Sequence, residues 1–335
     1  MTVYFALLSA ITLAAGLILH ALASLLSFAG WRVSRRKLDL SSPRVAAHIL
    51  LAIRFAPLVV TLIVLAAFVI PSFLEFEPRT TIEPLSFTLL SLAAVTALIL
   101  TGSLLRCFAA VLQSRRVMRA WMSSAKPEIV SVEEMPAPNG IKVQRCEMES
   151  PVIAVMGIWP TRIFTANKVF EALTTEELNA ALRHEAIHVR SFDVLKKMFL
   201  QLAPTFLPGV DLLKGVNAQW SRMCELAADE ESVAGDAPRT LHLASALVKV
   251  ARLANPGSEL PTLSAALHGR DSLLNHRVRR LLEISEHPGA IAPQPVIFNA
   301  RGVLFACACM IAIVLAAYPQ VLTLTHELLE FLVQG

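Results

Sequence analysis

The sequence predicts a mostly α-helical membrane protein in which an α+β domain is inserted between the third and fourth of four transmembrane helices. The chain is 55% hydrophobic, and its mean hydropathy of +0.59 is well above that of a soluble globular protein. The apolar residues fall in long blocks, as in helices that are surrounded by lipid. The polar stretch before the last block, roughly 180 residues, is long enough to form one hydrophobic core.

Four apolar blocks have about the ~20 residues that a helix needs to cross a bilayer. They lie at 3–29, 46–70, 84–105 and 303–322. The first block is too long for the core of a signal peptide and lacks a basic leading region, so we expect it to remain as a helix. Three parts are therefore predicted: three spans and a membrane-exit helix at 1–122, the inserted domain at 123–301, and the last span with a short tail at 302–335.

The distribution of Lys and Arg predicts the orientation of the chain. Basic residues cluster between the first two blocks and after the third: Arg32, Arg35, Arg36, Lys37, Arg44, Arg106, Arg115, Arg116 and Arg119. The positive-inside rule then puts both termini outside the inner (cytoplasmic) membrane and the inserted domain in the cytoplasm. His48 and Arg54 are close enough to the cytoplasmic end of the second block to reach the headgroups. The net charge of +4 is explained by these flanks and gives no reason to expect a nucleic-acid partner.

A metal-binding pattern lies in a predicted helix of the inserted domain. The segment from His184 to His188 has the form H-E-x-x-H, and a T-x-x-E capping box at Thr174 starts the helix. Histidines four residues apart project from nearly the same face of a helix, so both imidazoles can bind one Zn²⁺ ion. The intervening Glu185 can reach the water of that ion and act as the catalytic base.

A catalytic zinc site needs a third protein ligand, and a second predicted helix offers one. Glu225 and Asp229 share a face of that helix, so Glu225 can bind the metal while Asp229 braces a ligand histidine or nearby backbone. Cys224 is also a possible ligand by chemistry, but it points about 100° away from Glu225. The alternative is a solvated acidic helix. Asp193 either orients a ligand histidine, binds substrate, or forms a cap or a surface ion pair.

Three short segments before the motif have strand composition and predict a small α+β platform. They are Lys142 to Arg145, Pro151 to Met156 and Arg162 to Thr165, and a Pro-rich, acidic connector at 125–139 precedes them. We expect an extended substrate to pair with the edge of this sheet. The expected edge residues are Pro151, Val152, Ile153, Ala154, Val155 and Met156.

The residue that stabilises the oxyanion is left open among several candidates further along the chain. These are His268, His276, Arg277, Arg279 and Arg280. The alternative for the basic run is a face that lies against anionic headgroups.

A longer pattern joins these motifs between Ser150 and Ala234. It comprises a Ser-Pro strand, R-I-F, L-T-T-E-E-L, H-E-A-I-H, Asp193 five residues after the second histidine, and C-E-L-A-A-D. This pattern resembles the BlaR/MecR-type integral membrane zinc metallopeptidases. Three spans before the domain and one after it are also similar to that family, so the match covers nearly the whole chain.

The resemblance implies a zincin-like (gluzincin) domain and an endopeptidase with one zinc ion per chain. His184, His188 and Glu225 would bind the zinc, and Glu185 would be the base. The implied substrate is a cytoplasmic or membrane-proximal protein, such as a transcriptional repressor. The antibiotic receptors of the family carry an extracellular penicillin-binding domain after the last span, whereas 323–335 remain here. A signal is therefore expected through the spans, a partner sensor protein or the substrate.

Three other functions are kept as alternatives. The E-L-x-A-D form also resembles HtpX-like membrane proteases, which perform quality control of membrane proteins. A catalytically silent signal transducer is disfavoured because Glu185 has no use in a purely structural site. A channel or transporter is disfavoured because the spans lack broken helices and inward carboxylates.

Overall fold

The structure is a computed structural model that describes most of the chain. The described residues are 2–78, 86–123, 126–130, 141–147, 153–157, 161–203, 211–253, 265–266, 271–287 and 318–334. Most of the predicted fourth span, 303–317, lies outside them.

Three long apolar helices form the membrane part. They are α1 (Thr2–Asp39), a second helix composed of α2 (Pro43–Val64), a π-helical segment (Leu65–Val69) and α3 (Ile70–Phe76), and a third helix, α4 (Phe87–Ser123). By length and composition, all three can cross a bilayer. The three spans predicted within 1–122 are therefore confirmed as helices, and the third span continues without a break into the membrane-exit helix.

Seven further helices follow in the described residues. They are α5 (Asn167–Ala172), α6 (Thr175–Arg190), α7 (Asp193–Leu202), α8 (Lys214–Val233), α9 (Ala237–Leu253), α10 (Asp271–Glu286) and α11 (Tyr318–Gln334). The helix α11 contains the last five residues of the predicted fourth span and nearly all of the predicted tail, so that tail is helical.

Hydrogen bonds attach α11 to the second membrane helix near a proline. Pro71 has no N–H, so the carbonyl of Ala67 does not receive the bond that residue 71 would give in an α-helix. The hydroxyl of Tyr318 donates to this carbonyl at 2.8 Å. In the other direction, Ser72 Oγ donates to the carbonyl of Leu322 at 3.0 Å. Polar groups within the apolar helix bundle are thus satisfied by the last helix.

The described strands form one five-stranded sheet. They are β1 (Lys126–Val130), β2 (Ile141–Cys146), β3 (Ile153–Met156), β4 (Arg162–Ala166) and β5 (Ala265–Ala266). Their order is β1-β2-β4-β3-β5; β2 and β4 are parallel, and the other neighbours are antiparallel. The three predicted strands are confirmed within one or two residues, except that Pro151 and Val152 lie outside the described residues.

Two expectations about this sheet are wrong. The predicted connector at 125–139 contains β1, because an edge strand tolerates a residue such as Pro127 that has no N–H to donate. The predicted substrate strand is not at the edge, because β5 pairs with β3 through Ala154 and Val155. β5 comes from far downstream in the chain, so no local pattern around β3 indicated this pairing.

The helix α6 begins at the predicted capping box. Thr174 Oγ1 accepts a hydrogen bond from the backbone N–H of Glu177, and Thr174 N–H donates to Glu177 Oε2 at 2.9 Å. The same carboxylate accepts bonds from Ser245 and Lys249 of α9. The Glu177 side chain thus caps the start of α6 and joins it to α9, whose apolar face packs with α6 and β3 in the main core.

The helix α8 joins the inserted domain to the membrane helices. Gln219 of α8 accepts a hydrogen bond from the Trp31 indole at 2.6 Å and donates to the backbone of Arg35 at 3.1 Å. A Cβ atom on Gly215 would overlap the Trp31 ring. Because only a glycine admits this approach, α1 and α8 pack closely at that point.

We predict that Gly215→Ala destabilises this contact, whereas Gly30→Ala in α1 does not. A methyl group at Gly215 meets the Trp31 ring, while one at Gly30 meets open space. Overpacking of this kind lowers the free energy of unfolding by about 1–3 kcal/mol. Replacing an exposed helical glycine by alanine raises it by roughly 0.5–1 kcal/mol. Thermal unfolding of the two detergent-solubilised variants measures the difference; equal melting temperatures would contradict the close packing.

Candidate metal centre

The helix α6 carries the H-E-x-x-H residues into the interior of the domain. His184 and Glu185 have no solvent exposure, and His188 is 1% exposed. The buried Ala181 lies on the same helix and belongs to the main core. Such a small residue allows neighbouring elements to approach the helix closely. Three chemically active side chains therefore lie in a site from which water is largely excluded.

The helix α8 crosses α6 and brings Glu225 to the two histidines. The Nε2 atoms of His184 and His188 are 3.2 Å apart. They lie 3.5 Å and 3.6 Å, respectively, from the carboxylate oxygens of Glu225. Ligand atoms on a tetrahedral zinc ion, with bonds of about 2.0–2.1 Å, are separated by roughly 3.4 Å. These three residues therefore fit one zinc ion.

The other ring nitrogens of the two histidines face carboxylates. His184 Nδ1 lies 3.0 Å from Asp229 Oδ1, and His188 Nδ1 lies 2.7 Å from Asp193 Oδ2. An Nδ1–H group that donates to a carboxylate leaves the Nε2 lone pair for a metal and fixes the orientation of the ring. Asp193 also accepts a bond from Lys196. Asp193 thus combines two of the alternatives left open for it, a contact with a candidate ligand histidine and an ion pair, and Asp229 lies beside the other histidine.

Arg277 of α10 reaches into the same cluster and is only 1% exposed. It forms a bidentate pair with Asp229 at 2.7 Å and 2.8 Å. It also donates to Glu225 Oε2 at 2.9 Å, and its Nη2 lies 3.4 Å from His184 Nε2. The alternative of a basic face against the headgroups is therefore wrong for this residue. The sequence around Arg277 does not indicate this contact with Asp229 and Glu225, because the contact depends on how α10 packs.

The cluster has an excess of acidic groups, which suits a divalent cation. Four buried carboxyl groups surround the histidines, against the one buried guanidinium of Arg277; they belong to Glu185, Asp193, Glu225 and Asp229. Burial disfavours a charged His188, yet Glu225 and Asp193 outweigh it and raise the pKa of this imidazole to about 10. The site thus attracts positive charge at the atoms that would bind a metal.

Glu185 lies beside this site, and its carboxylate forms no hydrogen bond with the described residues. Neither of its carboxylate oxygens has a hydrogen-bond partner among the described residues, although both are buried. Burial raises the pKa of this carboxyl to about 7, against the opposing effect of the two histidines. A buried polar group without a partner is costly, and a bound water or ligand would offset that cost.

Cys224 points away from the cluster. It packs with Trp31, Leu50 and Trp220 in the core between α8 and the membrane helices, and burial raises the pKa of its thiol. A thiol that resists ionisation is a poor zinc ligand. Of the two candidates on α8, the structure brings Glu225 to the histidines and leaves Cys224 in an apolar contact.

Of the remaining oxyanion candidates, His268 lies outside the described residues. Arg280 forms an ion pair with Glu230 on the outer side of α8. His276 is exposed near Arg222 and Arg280, and partial desolvation lowers its pKa. These contacts do not include the H-E-x-x-H residues.

We predict that Arg277→Met strongly destabilises the metal-free protein. Loss of one partner of a buried ion pair leaves Asp229 and Glu225 uncompensated, which costs about 3–5 kcal/mol. Arg280→Met, one turn along the same helix, removes a partly exposed pair and should cost about 0–1 kcal/mol. Melting temperatures of the two variants in the presence of a chelator test this ranking, and the reverse ranking would contradict it.

Comparison with known proteins identifies the family of the chain. A family model described as BlaR1 peptidase M56 matches residues 72–281, a range that includes the five described strands β1 to β5, both helices of the metal cluster and Arg277. No curated protein matches the chain. Because the matched range is more than half of the 335 residues, the chain belongs to the BlaR1 peptidase M56 family, a family of membrane metallopeptidases.

Proposed function

We propose that the chain is an integral membrane zinc-dependent endopeptidase that cleaves a cytoplasmic or membrane-proximal protein in regulatory proteolysis. The observation that supports it most is the approach of the His184, His188 and Glu225 ligand atoms to within 4.8 Å of one another. The buried, unpartnered carboxyl of Glu185 lies next to them. A purely structural zinc site has no need of such a group.

In this proposal, His184, His188 and Glu225 hold one zinc ion, which supplies Lewis-acid activation of the attacking water and the scissile carbonyl. Asp229 and Asp193 hold the two imidazoles in the orientation that leaves Nε2 available. Glu185 accepts a proton from the attacking water and passes it to the leaving nitrogen. A carboxyl with a pKa of about 7 can both accept and release a proton near neutral pH.

The closed form of the site favours a regulated enzyme over a housekeeping one. His184, Glu185 and His188 are buried, and Arg277 lies against His184 and Glu225. An extended polypeptide would gain access to the sheet next to β3 only by displacing β5. A protease that degrades many unfolded proteins, as in the HtpX-like alternative, would need an open cleft. We therefore expect cleavage to require a signal or a particular partner.

The proposed location is the inner membrane, with the peptidase domain in the cytoplasm and both termini outside. The basic residues that follow the third span and those between the first two spans support this orientation. The protein substrate would then be cytoplasmic or membrane-adjacent, such as a repressor. A partner sensor protein could supply the activating signal.

We predict that Glu225→Ala weakens zinc binding by more than about 100-fold, whereas Cys224→Ser leaves it within about twofold of the unmodified protein. Loss of a residue that only orients a ligand typically lowers metal affinity 10–100-fold, and loss of a direct ligand lowers it further. Zinc titration against a competing chelator measures both affinities. If Cys224→Ser lost zinc and Glu225→Ala kept it, the ligand set would be wrong.

We predict that Glu185→Gln keeps about one zinc ion per chain but loses proteolysis by about 10²–10⁴-fold or more. The amide has nearly the same shape but cannot accept the proton. The control is Glu176→Gln on the first, exposed turn of the same helix, which should retain both zinc and activity. The assay follows cleavage of co-purified protein partners and of an unfolded model protein by mass spectrometry.

The outcomes of this experiment separate the proposed functions. Cleavage of a partner at one or a few sites, abolished by Glu185→Gln, supports regulatory proteolysis. Broad cleavage of the unfolded protein with none of any partner supports quality control instead. Bound zinc without cleavage in any condition supports the silent transducer, and substantial cleavage by Glu185→Gln would contradict the assignment of the base.

A further inference from the structure

A second polar site lies where the membrane helices meet the peptidase domain. A cavity of about 440 Å³ opens between α2, α4, α7 and α8. Its charged lining consists of four basic side chains and one acidic one among the described residues: Arg54, Arg106, Lys197, Lys214 and Asp211. The cavity does not include any residue of the metal cluster.

The basic residues of the cavity come from both parts of the molecule. Arg54 and Arg106 belong to helices that can cross the bilayer, whereas Lys197 and Lys214 belong to α7 and α8 of the peptidase domain. The cavity therefore lies at the boundary between the lipid and the domain. Trp220 also lines it, and tryptophan is enriched at membrane–water interfaces.

Arg54 makes this more than a solvated basic surface. From its position in the sequence, its side chain is expected to extend towards the headgroups, but only 4% of the residue is exposed. It donates to Asn217 Oδ1 at 3.1 Å and to the Ala203 carbonyl at 3.5 Å, and it forms an ion pair with Asp211 at 3.8 Å. Even without Lys197, the one carboxylate of the described lining faces three cations, which leaves an excess of positive charge around the buried Arg54 guanidinium. Such a group is costly next to a membrane unless an anion compensates it.

The surface beside the cavity is apolar. On the side of α4 that carries Arg106, Val95 and Leu98 lie two to three turns closer to the middle of the span, and they are 42% and 71% exposed. Because α4 is one of the helices that can span the membrane, these side chains face lipid. A ligand with a negative head and hydrocarbon chains matches a basic cavity that adjoins such a surface, whereas a free anion would use the cavity alone.

We propose that this cavity binds the phosphate group of an anionic phospholipid from the leaflet that faces the peptidase domain, with the acyl chains along the exposed face of α4. Arginine and lysine side chains that converge from several helices are well suited to phosphate oxygens. The bound lipid would contact α2 and α4 of the membrane part and α7 and α8 of the domain, and so hold the two parts together. This proposal does not depend on zinc or on proteolysis.

The test compares lipids by their effect on the melting temperature of the purified full-length protein in a neutral detergent. Phosphatidylglycerol should raise the melting temperature in a saturable way, because a ligand that binds the folded state stabilises it. Phosphatidylcholine, which has no net charge, and inorganic phosphate at the same concentration should not. Native mass spectrometry should detect one retained phosphatidylglycerol molecule per chain.

Matched double variants locate the effect. Arg106→Gln with Lys214→Gln, both at exposed positions that line the cavity, should lower the affinity for phosphatidylglycerol roughly 30-fold, the combined effect expected for two basic residues near an anionic membrane surface. Arg115→Gln with Arg116→Gln, exposed further along α4, should change it less than about twofold. Equal losses in both variants, or an equal response to phosphatidylcholine, would overturn the site. An equal response to inorganic phosphate would overturn the lipid as its ligand.

Discussion

The crossing of α6 and α8 is the constraint on which the rest of the domain depends, because it buries more negative charge than the protein can leave uncompensated. Four carboxyl groups lie around His184 and His188 in a site with almost no solvent. Each carboxylate must find a proton, a cation or a hydrogen-bond donor. Part of this negative charge is compensated by Arg277, Lys196 and the two imidazoles. A bound metal ion would compensate the rest.

The helix α8 serves both the membrane part and the metal centre. One face carries Glu225 and Asp229 to the histidines. Nearer the start of the helix, Gly215 and Gln219 pack against α1, while Asn217 accepts a bond from Arg54 of α2. Since a helix is rigid over such lengths, a displacement of the membrane helices would move Glu225, the candidate third metal ligand. Through this connection, a movement of the membrane part would change the geometry of the buried site.

The expectations that were wrong have a common cause. Pro127 made β1 look like a connector, although proline is tolerated at the edge of a sheet. β3 looked like an edge strand, although β5 pairs with it from far downstream. Arg277 looked like part of a solvated basic run, although packing of α10 puts it against Asp229 and Glu225. In each case, contacts between residues distant in sequence overrode what the local composition indicated.

The sequence by itself determined those features that depend on spacing along one element. Apolar length defined the three described membrane helices, the T-x-x-E box defined the start of α6, and helical periodicity put His184 and His188 on one face and Glu225 and Asp229 on another. Only the tertiary structure decided how those faces meet. The i, i+4 spacing orients side chains about one helix axis but says nothing about the crossing of two helices. That crossing brings Glu225 to both imidazoles and leaves Cys224 in the apolar contact with α1 and α2, and the packing of α10 brings Arg277 against Glu225.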